Sequence, residues 1–296
     1  MRRSTHIAAT VFVSCLFLAP SALSQSFEDS VLENARKASS MIPGNLPIEV
    51  RFQGISKWSD SLSKYVDGAS DTPVPWVVGV FQIRFSAGWI MVDAGASKKY
   101  LGADGFSDNE FAVVGDALSR AKINVLTHEH YDHAPNLYRS IWADAAGDRA
   151  ILTAEQVQSI TTATSDGLVI PADKSELDRF LVVSYERVLP IAPGVVLVKA
   201  AGHSPGSQMI FVTLESGAEI LFVGDVVWHL SQLENRSHKG PLSDGFGEDY
   251  RALKAQIDWL HMVMQTDTNV VIAHDLAALE AQIANGVMKL GLYLGD

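Results

Sequence analysis

The heptapeptide Thr-His-Glu-His-Tyr-Asp-His, residues 127–133, constrains this chain more than any other stretch. It holds three of the nine histidines and follows directly after a short apolar run that is typical of a buried strand. Alternate side chains of an extended segment face the same side, so we expect His128, His130 and Asp132 to point in one direction. A turn then brings His133 beside Asp132. This pattern is typical of metal ligands rather than of a surface histidine cluster.

Three further candidate ligands lie close to the ends of other predicted strands. Asp225 and His274 each follow an apolar strand pattern directly, and His203 lies in the loop after another such pattern. Strand ends in a layered fold gather at one rim, where side chains from distant parts of a chain can meet. We therefore expect these three residues to converge with the heptapeptide.

The predicted ligands suggest two metal ions. The first ion would take His128, His130 and His203, the second would take Asp132, His133 and His274, and Asp225 would bridge both with its two oxygens. Imidazole and carboxylate ligands without thiolate suit zinc, with iron or manganese as alternatives. Each set leaves a position open for a shared water, which is typical of a catalytic metal site rather than a structural one.

The N-terminus has the pattern of a signal peptide. Two arginines precede an apolar run, and Ala22-Leu23-Ser24 fits the small-x-small rule for cleavage after Ser24. We predict a signal peptide over residues 1–24 and a single domain over 25–296, in an exported protein that is periplasmic or secreted. The only cysteine, Cys15, leaves with the leader, and its neighbours do not favour lipid attachment there. The mature chain then has no disulfide.

The charge of the chain excludes two classes of partner. Loss of the two leader arginines lowers the formal net charge from −11 to −13. This acidity opposes binding to nucleic acid, whose phosphates require a basic face, and to anionic membranes after leader removal. We expect a small-molecule substrate, and the sequence makes no prediction about oligomeric state.

Strand and helix patterns both occur along the chain, which predicts a domain of mixed α and β structure. Trp76–Phe85 and Trp89–Val92 are predicted to form a hairpin, and Asn109–Arg120 a helix. Leu181–Leu189 is predicted to be one strand, and Ser231–Gly247 a polar loop.

Five motifs together resemble the metallo-β-lactamase-fold hydrolase superfamily. They occur in the family's order over about residues 70 to 280, and they are Asp93-Ala94-Gly95, Thr127–His133, Gly202–Gly206, Gly224-Asp225 and Ala273–Asp275. The resemblance implies an α+β fold, a four-layer αββα sandwich with two facing mixed sheets and a dinuclear metal site at one edge. It implies the same grouping of ligands, and it places Asp93 behind a ligand histidine, which it would orient.

The chemistry expected of such a site is hydrolysis. Two cations acidify the water between them, so a metal-bridging hydroxide exists near neutral pH and attacks a carbonyl or phosphoryl centre. Asp132 is predicted to take up and return a proton. We predict a zinc hydrolase that cleaves a lactone or an ester, with phosphotriester and β-lactam hydrolysis as alternatives.

Comparison within the superfamily narrows these alternatives. True β-lactamases of this fold have cysteine or serine in place of the bridging aspartate, so Asp225 argues against β-lactams. Acyl-homoserine lactonases have the full ligand set and a tyrosine three residues later, where this chain has Trp228. A mononuclear iron oxygenase needs only three protein ligands, so the seven candidate ligands of this chain disfavour it. A non-catalytic metal-binding sandwich would have a closed metal site, so the open position disfavours that alternative.

The loop after Asp225 is expected to border the metals. Its candidate substrate contacts are Trp228, His229, Asn235, Arg236 and His238. An ordinary polar surface loop is the alternative interpretation. Tyr131, inside the heptapeptide, is predicted either to form a wall of the substrate pocket or to pack beneath the site.

Overall fold

The computed structural model describes residues 30–164 and 167–295. In this part of the chain two β-sheets face each other, and helices cover both outer sides. The predicted signal peptide, residues 1–24, lies outside the described residues.

The first six strands of the described residues belong to the first sheet. Its strands are β1 (Glu49–Ser61), β2 (Pro73–Phe85), β3 (Gly88–Val92), β4 (Ile123–Val125), β5 (Ala150–Thr153) and β6 (Leu181–Val183). The second sheet comprises β7 (Val188–Ala192), β8 (Val195–Lys199), β9 (Gln208–Thr213), β10 (Glu219–Phe222) and β11 (Thr268–Val271). The last strand, β12 (Lys289–Leu290), returns to the first sheet beside β1.

Both sheets are mixed. The strand order is β12-β1-β2-β3-β4-β5-β6 in the first sheet and β11-β10-β9-β8-β7 in the second. Strands β1 to β3 run antiparallel and β3 to β6 run parallel, while in the second sheet only β10 and β11 are parallel. The predicted hairpin corresponds to β2 and β3, which pair up to Phe85 opposite Gly88.

The helices connect the strands on the outside of the sandwich. They are α1 (Ser30–Ser39), α2 (Leu62–Tyr65), α3 (Lys98–Leu101), α4 (Asp108–Arg120), α5 (Ala143–Gly147), α6 (Ala154–Thr162), α7 (Lys174–Leu177), α8 (Leu230–Asn235), α9 (Tyr250–Val263) and α10 (Leu276–Ala284). Short 3-10 turns cover Pro135–Leu137, Gly224–Val226 and Pro241–Ser243. Within the described residues, none of the helices has the length and apolar character needed to cross a membrane.

Apolar side chains fill the space between the sheets. Phe81 of β2 and Phe222 of β10 meet there with ring centroids 4.8 Å apart, and both are buried. Separate apolar clusters join α1 and α9 to the outer face of the second sheet, and α4 and α6 to the outer face of the first. The layers therefore run helix, sheet, sheet, helix, which confirms the expected αββα sandwich.

Two predictions of secondary structure are wrong. The segment Leu181–Leu189 is two strands in different sheets, because its polar middle, 184–187, carries the chain across from β6 to β7. The predicted loop Ser231–Gly247 begins inside helix α8, whose N-terminal cap is His229. A histidine ring nitrogen that accepts from the backbone is an uncommon cap, so no helix-start signal marks this position.

The fold brings the predicted strand ends to one edge. Strand β3 ends just before Asp93, β4 leads into residues 127–133, β10 leads to Asp225, and β11 leads to His274. Backbone hydrogen bonds join these ends: Asp93 N–H donates to the Val125 carbonyl, and Val77 N–H donates to the His274 carbonyl. The candidate ligands therefore start from a common edge.

Candidate metal centre

Seven side chains converge at this edge as three groups of possible ligands. Within each group the nitrogen and oxygen atoms lie no more than 4.8 Å apart, and the groups are His128–His130–His203, His128–His133–Asp225 and Asp132–His133–His274. We name His128–His130–His203 the first cluster and Asp132–His133–His274 the second cluster. Asp225 lies between them.

The first cluster presents bare imidazole nitrogens. The Nε2 atoms of His128 and His203 lie 3.9 and 3.5 Å from Asp225 Oδ2. Both nitrogens are buried and have no hydrogen-bond partner. A buried polar atom without a partner carries a desolvation cost, which a bound cation would remove.

The second cluster has two nitrogen lone pairs that face each other. His133 Nδ1–H donates to Asp93 Oδ2 at 2.9 Å, and His274 Nδ1–H donates to the backbone oxygen of Val77 at 2.8 Å. In the neutral rings both Nε2 atoms are therefore acceptors, and they lie 3.2 Å apart. Two lone pairs at this distance repel each other unless a cation or a proton lies between them.

Carboxylates complete the second cluster. Asp132 Oδ2 lies 3.5 Å from His133 Nε2 and 3.6 Å from His274 Nε2. Asp225 Oδ1 lies 3.4 and 3.1 Å from the same two nitrogens. Five imidazoles, two carboxylates and no thiolate form a donor set that fits a pair of zinc-like cations.

Asp93 organises the backbone behind both clusters. Its carboxylate accepts from Thr127 N–H at 2.7 Å and from the Thr127 hydroxyl at 2.9 Å, as well as from His133. Its φ of 62° is left-handed, a conformation that is costly for residues other than glycine and concentrates at functional sites. Because the Thr127 hydroxyl donates to Asp93, it accepts from His128 Nδ1–H at 3.1 Å. His128 Nε2 therefore keeps its lone pair.

Close approach explains one glycine of the site. Gly224 has a φ of 53°, and a Cβ atom added there would lie 2.8 Å from the Cβ atom of Thr127. Glycine therefore lets the turn before Asp225 pack against the start of the heptapeptide.

The two clusters differ in the protonation that their surroundings favour. Burial lowers the pKa of His130 to about 4 and holds the pKa of His128 and His203 well below the ordinary range. Burial also acts on His133 and His274, but neighbouring carboxylates outweigh it and raise the pKa of both. The first cluster is thus uncharged near neutral pH, as metal binding requires.

Two buried charged residues lie behind His203. Glu248 Oε1 lies 2.5 Å from His203 Nδ1 and 2.6 Å from Lys239 Nζ. Burial lowers the pKa of Lys239 and raises that of Glu248. Neither residue was among the predicted site residues, because Lys239 falls in the segment predicted to be a polar loop and Glu248 directly follows that segment.

Trp228 contacts the carboxylate between the clusters. Its indole Nε1–H donates to Asp225 Oδ2 at 2.7 Å. Its ring faces Lys239 Nζ, which lies 4.6 Å from the ring centroid. Trp228 therefore links Asp225 to the charged pair behind His203.

An aromatic cavity opens beside the clusters. Its volume is about 110 Å³, and its apolar and aromatic walls are Trp58, Tyr65, Trp76, Val78, Tyr131, Leu168, Trp228, Leu242 and Phe246. Tyr65 and Trp76 stack with centroids 4.0 Å apart. The residues from β1, α2 and β2 were not predicted as site residues, because nothing local in their sequence shows that they face a cavity.

A larger outer cavity of about 780 Å³ adjoins the aromatic cavity and shares Tyr131, Leu168 and Phe246 with it. Among the described residues that line either cavity there is no lysine or arginine, whereas several are acidic. Tyr131 is 36% exposed, so its ring forms a wall of both cavities.

The other predicted substrate contacts lie apart from both cavities. His229 caps α8, and its Nδ1 accepts from Ser231 N–H. Asn235 and Arg236 are exposed at the end of α8, and the His238 ring packs against Tyr250. None of these four predicted contacts lines either cavity as the described residues define it.

Glu129 fastens the loop that carries His203. Its buried carboxylate accepts from the Ser204 hydroxyl at 2.9 Å and from Gly206 N–H at 3.2 Å. The heptapeptide therefore supplies both candidate ligands and the anchor for the next ligand loop.

Several solved structures are similar to this chain. A quorum-quenching N-acyl homoserine lactone hydrolase is 16% identical, with a TM-score of 0.63 over 80% of this chain and 96% of that chain. A dizinc quorum-quenching lactonase is 12% identical, with a TM-score of 0.56 over 75% and 86%. A hydrolase of the β-lactamase superfamily is 13% identical, with a TM-score of 0.56 over 78% and 91%.

No protein-family profile and no curated protein sequence matches the chain. The fold is nevertheless clear from the layer order, the strand order and the similarity to these structures. The chain has an αββα fold similar to that of these hydrolases, with its candidate metal centre at one edge of the sandwich.

Proposed function

We propose that the protein is an exported dinuclear zinc hydrolase that cleaves an uncharged lactone or ester. The observation that carries this proposal is the convergence of five imidazoles and two carboxylates around buried nitrogens that lack partners. The similar structures include lactonases, one of them dizinc, which supports the reaction class and the metal.

The ligands divide as the clusters do. His128, His130 and His203 would hold one ion, Asp132, His133 and His274 the other, and Asp225 would contact both. When bound, two zinc ions lower the pKa of a water molecule between them and polarise the oxygen of the scissile carbonyl.

The chain's own groups prepare the site for this chemistry. Asp93 and the Val77 carbonyl fix the rings of the second cluster, which keeps their Nε2 atoms aimed at one point. Asp132 lines the aromatic cavity, where its carboxylate can take a proton from the attacking water and return it to the leaving oxygen. Trp228 holds Asp225 through its indole N–H.

The cavities favour an uncharged substrate. The aromatic cavity, at about 110 Å³, is smaller than the apolar cavities of about 150 Å³ that accommodate benzene, so it suits a small lactone ring or a short acyl group. The absence of lysine and arginine from the described cavity walls disfavours the carboxylate of a β-lactam. Aryl phosphotriesters are also uncharged and aromatic, and they are the second candidate substrate class.

The test combines metal analysis with a substrate screen. We expect about two zinc ions per chain and turnover of lactones or aryl esters in preference to β-lactams. His130→Ala should abolish turnover while the circular dichroism spectrum stays that of a folded chain. Full activity in His130→Ala would reject the site, one iron with oxygen consumption would indicate an oxygenase, and absence of bound metal would indicate a binding module.

A second variant addresses the lactone. Trp228→Tyr places at this position the tyrosine that acyl-homoserine lactonases have, and we expect it to increase lactone turnover relative to aryl ester turnover. An unchanged ratio would favour an ester or a phosphotriester over a lactone. Export is tested separately, by locating the full-length protein in cell fractions and sequencing its mature N-terminus, which we expect at Gln25.

A further inference from the structure

The Nδ1 atom of His203 has two polar neighbours, one of which favours a proton on this nitrogen and the other a bare nitrogen. Glu248 Oε1 lies 2.5 Å away, and Lys239 Nζ lies 2.8 Å away. All three side chains are buried, with at most 1% of each side chain exposed. Solvent therefore does not mediate between them.

These neighbours favour different tautomers of the ring. An ionised carboxylate can only accept, so it favours a proton on His203 Nδ1. An ammonium group can only donate, so Lys239 favours the other tautomer, in which Nδ1 is bare and the proton of the neutral ring is on Nε2. A protonated Nε2 has no lone pair left for a cation, so the choice of tautomer decides whether His203 can bind metal.

We propose that Glu248 is a positioning residue that keeps His203 in the Nδ1–H tautomer against the competing Lys239 ammonium. This inference rests on the proposed function, since it concerns how one ligand of the first ion is made ready. Glu248 achieves this with a single oxygen, which accepts both from His203 and from Lys239 at 2.6 Å.

Lys239 has a role of its own in this arrangement. A buried carboxylate without a counter-charge is costly, and the ammonium provides the counter-charge for Glu248. The position of Lys239 over the Trp228 ring gives the ammonium a second favourable contact on its other side. The pair thus supplies a buried carboxylate to His203, and that carboxylate holds the proton on Nδ1.

The test is a double-mutant comparison of zinc affinity, measured by competition with a chelator. Glu248→Ala removes the acceptor and leaves the Lys239 ammonium, a donor, beside His203 Nδ1. We therefore expect about 100-fold weaker binding of the first ion. Lys239→Met removes the competing donor but also the counter-charge of Glu248, so zinc affinity should fall by about tenfold, less than in Glu248→Ala. The double variant Lys239→Met/Glu248→Ala should bind zinc about tenfold more tightly than Glu248→Ala alone.

A spectroscopic readout reports the tautomer itself. Long-range ¹H–¹⁵N spectra of the metal-free protein, with His203 assigned by substitution, should show Nδ1–H in wild type and Nε2–H in Glu248→Ala. The conservative variant Glu248→Gln keeps the side-chain shape and an accepting oxygen. It should retain the Nδ1–H form and serves as the test variant if Glu248→Ala does not fold.

Three results would overturn the inference: an Nε2–H tautomer in the wild-type chain, unchanged zinc affinity in Glu248→Ala, or a double variant that binds zinc more weakly than Glu248→Ala. Failure of the proposed function gives a different result. A wild-type chain that binds no zinc would reject the hydrolase, while the spectra of the metal-free protein would still decide which tautomer Glu248 selects.

Discussion

The two clusters of the candidate metal centre share the hydrogen bonds of Asp93 and Thr127 but are otherwise held in place by different parts of the molecule. In the second cluster, the groups that orient the rings are the backbone carbonyl of Val77, inside β2, and the Asp93 carboxylate at the end of β3. In the first cluster, His203 is oriented by Glu248 and faces Lys239, and both lie outside the sheets, between α8 and α9.

This contrast indicates which substitutions should weaken metal binding at each cluster. The sheet fixes the second cluster, and one of its orienting groups is a backbone atom that no substitution removes. The first cluster depends on a charged side-chain pair that can change without disturbing a strand. We therefore expect the first ion to be more sensitive to single substitutions behind its ligands.

The largest effect is expected where the clusters meet. Asp225 contacts imidazoles of both clusters, so Asp225→Ala should weaken binding of both ions and lower kcat/KM by about 10³-fold or more. Zinc content after dialysis and ester or lactone turnover measure this. Asp178→Ala changes an exposed carboxylate on the surface and is the matched control. Loss of only one ion would show that the clusters are independent, contrary to a shared carboxylate.

A substitution of Asp93 tests the comparison at the second cluster. Asn tolerates the left-handed backbone at this position but cannot accept all the hydrogen bonds of the carboxylate. Asp93→Asn should weaken binding of the second ion by about 10- to 100-fold and the first ion less, as chelator competition would measure. A larger loss at the first ion would contradict the division into clusters.

The clusters should also differ in their response to acid. His130 has a folded-state pKa of about 4, so between pH 6.5 and 4 the unfolded chain of the metal-free protein binds a proton that the folded chain does not. Stability from this group is therefore present above pH 6.5 and lost as the pH falls towards 4. His133 and His274, whose pKa values are raised, contribute in the opposite direction: their stability is present below pH 6.5 and lost as the pH rises.

Urea unfolding of the metal-free protein at pH 6.5 and 4.5 measures this difference. Relative to wild type, His130→Gln should reduce the loss of stability on acidification by about 2 kcal/mol. His133→Gln should leave the loss between pH 6.5 and 4.5 nearly unchanged and should instead reduce the loss of stability as the pH rises above 6.5, which unfolding at pH 8.5 measures. The same change in both variants would mean that the two clusters do not differ in protonation.

The smallest effect is expected at the link between the two clusters. Trp228→Phe keeps an aromatic ring facing Lys239 but removes the indole N–H that donates to Asp225. We expect a loss of about 1 kcal/mol, or about fivefold in kcat/KM, with both zinc ions still bound. A loss as large as that of Asp225→Ala would mean that Trp228 acts directly in the reaction.

Much of the fold and the whole set of candidate ligands could be predicted because the signals are local. Apolar runs mark β3, β4, β10 and β11, and each is followed within a few residues by a polar side chain that can bind metal. The αββα order is what the resemblance of these motifs to a known superfamily implies, and the layers and the similar structures confirm it.

The remaining features depend on contacts between distant segments. Trp76 and Trp228 wall one cavity although they belong to different halves of the chain, and Lys239 meets His203 only through the folded loop. Helix α8 begins at a histidine cap, which is not a helix-start signal, and nothing local shows that β6 and β7 belong to different sheets. No local pattern distinguishes these residues from ordinary surface or core positions.

The most direct test of the central claim is anomalous diffraction at the zinc edge from crystals of the zinc-loaded protein. The account predicts two peaks about 3.5–4 Å apart, one beside the first cluster and one beside the second, with Asp225 in contact with both. A single peak, or zinc bound elsewhere on the chain, would contradict it.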